Sequence, residues 1–91
     1  PKITGMASKI EVENARIVIN WKQQSSPTLD KYLIYRSENN KPIKLYKSVD
    51  KSQNAFIDDN ILINTTYSYR VRAVHTDGGS SPISNELTVK Y

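Results

Sequence analysis

Thr66-Tyr67-Ser68-Tyr69-Arg70-Val71-Arg72-Ala73-Val74 is the stretch that decides how this chain folds. Tyr67, Tyr69, Val71 and Ala73 occupy every second position, and Ser68, Arg70 and Arg72 stand between them. Successive side chains of a β-strand point to opposite faces, so this alternation gives one apolar face and one polar face. A strand of this kind buries its apolar face against another sheet.

Outward from this segment the same period recurs. Ile10 and Val12 alternate with Lys9, Glu11 and Glu13, and Asn14-Ala15 reads as a tight turn. Ile17, Ile19 and Trp21 then alternate with Arg16, Val18, Asn20 and Lys22, which predicts an opening hairpin. A polar loop follows to Asp30. Lys31 to Ser37 is a third strand rich in β-formers, and Glu38 to Pro42 is a turn. Ile43 to Val49 and Ala55 to Asp58 supply a weaker fourth strand and a short fifth. After the sixth strand, Asp77-Gly78-Gly79 makes a turn that tolerates positive φ. Asn85 to Tyr91 closes the chain with Leu87, Val89 and Tyr91 alternating. No window carries apolar residues at helical spacing between a cap and a terminal glycine.

The pattern predicts an all-β chain: a sandwich of seven antiparallel strands. Its expected core is the alternating apolar set above together with Tyr32, Ile34 and Phe56, with Trp21 at the centre. Each large side chain buried there contributes roughly 1.5–3 kcal/mol, set against a conformational entropy of similar total. That is sufficient for a chain of this length without disulfides.

Composition narrows the chemistry. The chain has 91 residues, 37% apolar and 24% charged, which fits one domain over residues 1–91 and excludes a disordered polymer. It has no cysteine and one histidine, His75, which removes disulfides, thiolate chemistry and zinc sites built on Cys or paired His. Apolar runs such as Ile61-Leu62-Ile63 and Tyr32-Leu33-Ile34-Tyr35 reach at most four residues, far below the roughly 20 that span a bilayer. The net charge of +4 comes from 13 basic residues scattered among nine acids, which argues for solubility rather than a phosphate-binding stripe. The opening Pro1 is the kind of start expected of a piece excised from something longer.

These residues, in this order, resemble a fibronectin type III domain over essentially the whole chain. Ile17-x-Ile19-x-Trp21 and Tyr32-x-Ile34-Tyr35-Arg36 carry the resemblance in the second and third strands. The run from Ile61 through Thr66-x-Tyr67 to Ala73-Val74 carries it in the sixth, and Gly79 to Ser84 in the last loop. The resemblance implies an immunoglobulin-like sandwich in which Tyr67 forms the tyrosine corner, its hydroxyl bonded to backbone just upstream, with Ile61 as a plug beneath it. Trp21, Tyr32, Ile61 and Tyr67 are then its structural residues. Where the family often has Pro-Gly, this chain has Ile63-Asn64; Asn reaches the left-handed region, and Leu62 and Ile63 are left exposed. The wording Ile-Tyr-Arg-Ser and Phe56-x-Asp58 is similar to that of bacterial members found in secreted carbohydrate-active enzymes, which implies an extracellular or cell-surface setting.

A catalytic constellation is not legible. His75 falls at a strand end with no partner in sequence, and adjacent Asp58 and Asp59 point to opposite faces, which prevents joint acid/base work. Asp58 reads as the cap of the turn after the fifth strand. Asn64-Thr65-Thr66 satisfies the N-glycosylation rule, a pattern common by chance. No catalytic residue, cofactor or metal is expected. One surface cluster stands out: Lys31, Leu33 and Tyr35 should face outward beside Arg70 and Arg72. Cross-strand pairing of Tyr35 with an arginine is its simplest account; the alternatives are packing on a neighbouring domain, or binding a protein or polysaccharide. Nucleic acid fits less well, since Glu86 should lie near the two arginines. The expectation is a monomeric, non-catalytic spacer, about 25–35 Å long from its strand lengths, with termini at opposite ends and neighbouring domains of its own chain as partners. An accessory domain packed on a catalytic one is the third reading.

Overall fold

Alternation becomes strand at every segment where it was read. The computed structural model, which describes residues 2–91, has β1 (Ala7–Glu11), β2 (Arg16–Asn20), β3 (Leu29–Glu38), β4 (Lys44–Asp50), β5 (Ala55–Asp58), β6 (Thr66–His75) and β7 (Leu87–Lys90). All pairings are antiparallel, in a three-stranded sheet of order β1-β2-β5 and a four-stranded sheet of order β4-β3-β6-β7. The predicted seven-stranded sandwich is therefore the architecture. β3 and β6 form its longest ladder, from Leu29 opposite His75 to Glu38 opposite Tyr67.

The inner faces hold Ile17, Ile19 and Trp21 from the β2 side and Tyr32, Ile34, Tyr67, Tyr69, Val71 and Ala73 from β3 and β6, all buried. Trp21 meets Tyr32 edge-on at 5.2 Å between ring centroids, an arrangement that suits the aromatic quadrupole. The Trp21 indole nitrogen is buried without a hydrogen-bond partner among the described residues.

Three expectations need correction. Val12 does not extend the first strand: β1 ends at Glu11, Val12–Asn14 is a single 3-10 turn, and Val12 is 76% exposed. The cause is local, because Ala15 takes a left-handed φ of 51° and closes the turn with its N–H on the Val12 carbonyl. Ile10 is also partly exposed, since β1 is an edge strand with no outer neighbour. Conversely, Leu29, read as part of the polar loop, opens β3 and is core at 4% exposure, and Ile3, ahead of the first strand, joins it at 2%. Finally, the molecule is 40 Å along its longest axis rather than 25–35 Å, because loops extend beyond the strands.

The link from β6 to β7 shows why it is not an eighth strand. Pro82 has no N–H to donate to a ladder, so serines complete the pairing. Val71 donates its N–H to Ser84 Oγ at 2.8 Å while Ser84 N–H donates to the Val71 carbonyl, and Ala73 and Ser81 repeat the exchange. Residues 2–4 lie beside Lys22 and Asn85, and Tyr91 donates its N–H to the Thr65 carbonyl next to the start of β6.

Candidate functional site

Burial of Tyr32 and Ile34 turns Leu33 and Tyr35 to the outer face of the four-stranded sheet, where each register partner on β6 is an arginine. Leu33 lies opposite Arg72 and Tyr35 opposite Arg70. The two arginines differ in their engagements. Arg70 donates to the Ser84 carbonyl at 3.0 Å and pairs with Glu86 at 3.7 Å. Arg72 has no ion pair among the described residues; its guanidinium stands 5.9 Å from the Tyr35 ring centroid, and its Nε is buried without a partner. On the far side of β3, Tyr35 faces Leu45, which is 59% exposed. Lys31, Leu33, Leu45, Tyr46, Lys47 and Ser48 line a shallow groove between β3 and β4. Leu45, Tyr46 and Lys47 were not singled out from the sequence. The weak alternation of β4 hid them, because its register shifts opposite Ile34 and Tyr35.

Between the sheets at one end lies a polar centre. Asp58 is buried, yet both its oxygens are saturated: Oδ2 accepts from Arg36 Nη1 at 2.9 Å and the Tyr69 hydroxyl at 2.6 Å, and Oδ1 accepts from the Tyr46 hydroxyl at 3.0 Å and the Asn60 N–H at 3.2 Å. The Asn60 bond is the turn cap read from sequence; the other three come from the opposite sheet. Arg36 also lies over the Tyr46 ring at 4.0 Å and donates to the Asn60 carbonyl. Burial lowers the tendency of Arg36 to hold its proton, but the hydrogen bond and charge of Asp58 outweigh it and raise the pKa. Burial, then the charge and hydrogen bond of Asp58, push the Tyr46 hydroxyl up as well. The cluster is a saturated cross-link, with no lone pair aimed at a substrate.

The remaining marked residues are placed as follows. Tyr67 is buried, and its hydroxyl accepts the Leu62 N–H at 2.7 Å, while Ile61 packs half-buried against the core. Asn64 takes φ 62° in that turn, with Leu62 and Ile63 70% and 76% exposed. His75 Nδ1 shares a 2.9 Å hydrogen bond with Thr28 Oγ1, and no carboxylate orients the ring among the described residues. No group of three or more His, Cys, Asp or Glu gathers as a metal-ligand set among them. Asp59 is exposed and apart from Asp58's partners.

Comparison with known proteins agrees with this geometry. The sequence model of the fibronectin type III domain matches residues 1–90. No curated protein sequence matches the chain. Among solved structures, an Fn3-like protein from Clostridium thermocellum superposes with a TM-score of 0.76 at 21% identity, covering 98% of this chain and 90% of that one. The fn3 domain of human contactin 1 gives 0.80 at 18% identity, covering 96% and 73%. The pectate lyase PelI from Erwinia chrysanthemi, in complex with tetragalacturonic acid, gives 0.81 at 16% identity, covering 98% of this chain but 28% of the lyase. At these identities the likeness is one of fold.

Proposed function

Since this chain belongs to the fibronectin type III family, we propose that it serves as a non-catalytic module of a larger extracellular protein, holding neighbouring domains apart and in fixed orientation. What supports this is that the chain enters beside Lys22 and Asn85 and leaves beside Thr65, next to the start of β6, in a body 40 Å along its longest axis. A chain entering at one end and leaving at the other separates whatever it joins, and antiparallel ladders through the middle make the separator stiff. The pectate lyase supports a multidomain setting, because this fold occupies 28% of that chain. That enzyme and the clostridial protein favour a bacterial, carbohydrate-active context for the parent. The structural roles proposed for Trp21, Tyr32, Ile61 and Tyr67 belong to the same reading: they keep the separator rigid.

The test uses the parent polypeptide. Exchanging residues 2–91 for an unrelated sandwich of similar span should preserve the distance between flanking domains, measured by small-angle scattering. A Gly/Ser linker of equal residue number should broaden it, as expected of a flexible coil. Equal distance distributions for linker and wild type would overturn the spacer reading. A melting temperature that rises only when the flanking domains are present would instead assign the packed accessory role.

A further inference from the structure

Exposed apolar side chains are not spread evenly over this molecule. Val12, Leu62 and Ile63 are the most exposed large ones among the described residues, and all three sit in connections rather than on strands. Ile17 lies opposite Asp58, so the turn ahead of β2 and the chain beyond β5 emerge at the same end of the three-stranded sheet. Beyond β5, the Leu62 N–H donates to the Tyr67 hydroxyl at 2.7 Å, which holds the β5–β6 connection against the start of β6. The Tyr91 N–H donates to the Thr65 carbonyl, so the chain leaves the sandwich beside these same residues. The other end differs in kind. There the ladders finish at Asn20 opposite Ala55 and at Leu29 opposite His75. The connections 22–28, 51–54 and 76–80 expose no large apolar side chain among the described residues.

We propose that Val12, Leu62 and Ile63 form a joint: they dock the domain that follows Tyr91 in the parent polypeptide and set its angle to this sandwich. Resting on the spacer reading, the joint gives that reading a means of fixing orientation at one end. The partner must present an apolar patch beside its own point of chain entry. A tandem repeat of this sequence does not, since residues 2–4 enter beside Lys22 and Asn85, at the polar end.

Other occupants fit less well. Three aliphatic side chains supply far less than the roughly 800 Å² per partner of a stable free complex, so two unlinked copies would not be held together. A tether removes that requirement, because a linked partner is present at an effective concentration of about millimolar. A bilayer with anionic headgroups is opposed by charge. Val12 stands between Glu11 and Glu13, and the exposed Asp59 lies in the connection that carries Leu62 and Ile63.

The experiment places spin labels on this sandwich and on each flanking domain of the parent, and compares wild type with Val12→Ser/Leu62→Ser/Ile63→Ser. The distance distribution across the Tyr91 joint should be narrow in wild type and about twofold broader in the variant, since linked domains without an apolar contact move freely by default. The distribution across the other joint should be unchanged. Melting should be unchanged too, because all three side chains lie outside the core. Leu45→Ser/Ile57→Ser, which removes exposed apolar side chains from strands, should leave both joints as in wild type. The proposal is overturned by a wild-type joint as broad as the variant's, by equal broadening in the two variants, or by a parent with no domain after Tyr91. Self-association of the 91-residue chain, or its binding to anionic vesicles, overturns it as well if the triple substitution abolishes either. If the Gly/Ser replacement broadens the distance between flanking domains while the triple variant leaves the joint narrow, the joint fails and the spacer reading stands.

Discussion

Asp58 shows how much one residue can hold. It is 1% exposed and charged, a placement tolerated only when desolvation is met by strong partners. Four donors supply them, and three come from β3, β4 and β6, so one carboxylate of β5 ties both sheets together. Removing it leaves the Arg36 guanidinium without its anion, and Asp58→Ala should cost about 3–5 kcal/mol of stability in urea denaturation. A cost below about 1 kcal/mol would mean that the cluster is incidental.

Tyr69 reports on the same cluster through pH. Burial, followed by the hydrogen bond and charge of Asp58, holds its hydroxyl far above the ordinary value of 10.0. The folded chain therefore keeps a proton that the unfolded chain releases. Its stabilisation is complete below pH 10 and declines as pH rises beyond that value towards the folded-state pKa. Above that value the denaturation midpoint of the wild type should fall more steeply than that of Tyr69→Phe. Parallel slopes would show that the phenol does not contribute.

At the scale of elements, turns rather than strands departed from expectation. Period two identifies a strand but not its last residue. Arg16 pairing with Glu11 closes the β1–β2 hairpin at Glu11, and the chain turns at once, leaving Val12 in solvent. Ala15 completes that turn at φ 51°, where a Cβ costs roughly 1–2 kcal/mol. Ala15→Gly removes the clash but loosens the unfolded chain, so a net gain of about 0.5 kcal/mol is expected in denaturation midpoint. A less stable variant would show that the turn is unstrained. Nothing in local sequence announces this conformation at an alanine, whereas Asn64 at φ 62° was legible because Asn enters that region readily.

For the whole molecule, the outer face of the four-stranded sheet was legible only in part. Alternation placed Lys31, Leu33, Tyr35, Arg70 and Arg72 on one side of two strands, and the cross-strand register brings Leu33 to Arg72 and Tyr35 to Arg70. It did not separate Arg70, tied to Glu86, from Arg72, which has no ion pair among the described residues and stands over the Tyr35 ring. Nor did it bring in Leu45 and Lys47, because a register shift in β4 breaks the alternation on which strand faces are read. The basic excess that looked scattered along the chain gathers on one sheet once the strands are ordered.

What the sequence by itself determined is the class of fold, its strands and most of its core. Those follow from period-two alternation and from the area of Trp21, Tyr32, Tyr67 and Tyr69, both properties of residues and near neighbours. Only the tertiary structure decided which charges are spent on one another. Arg36 finds Asp58, Tyr46 finds Asp58, and among the described residues Lys31, Lys44 and Lys47 find no acid. Ion pairing depends on distances of a few ångströms between segments far apart in sequence, and no local pattern encodes those.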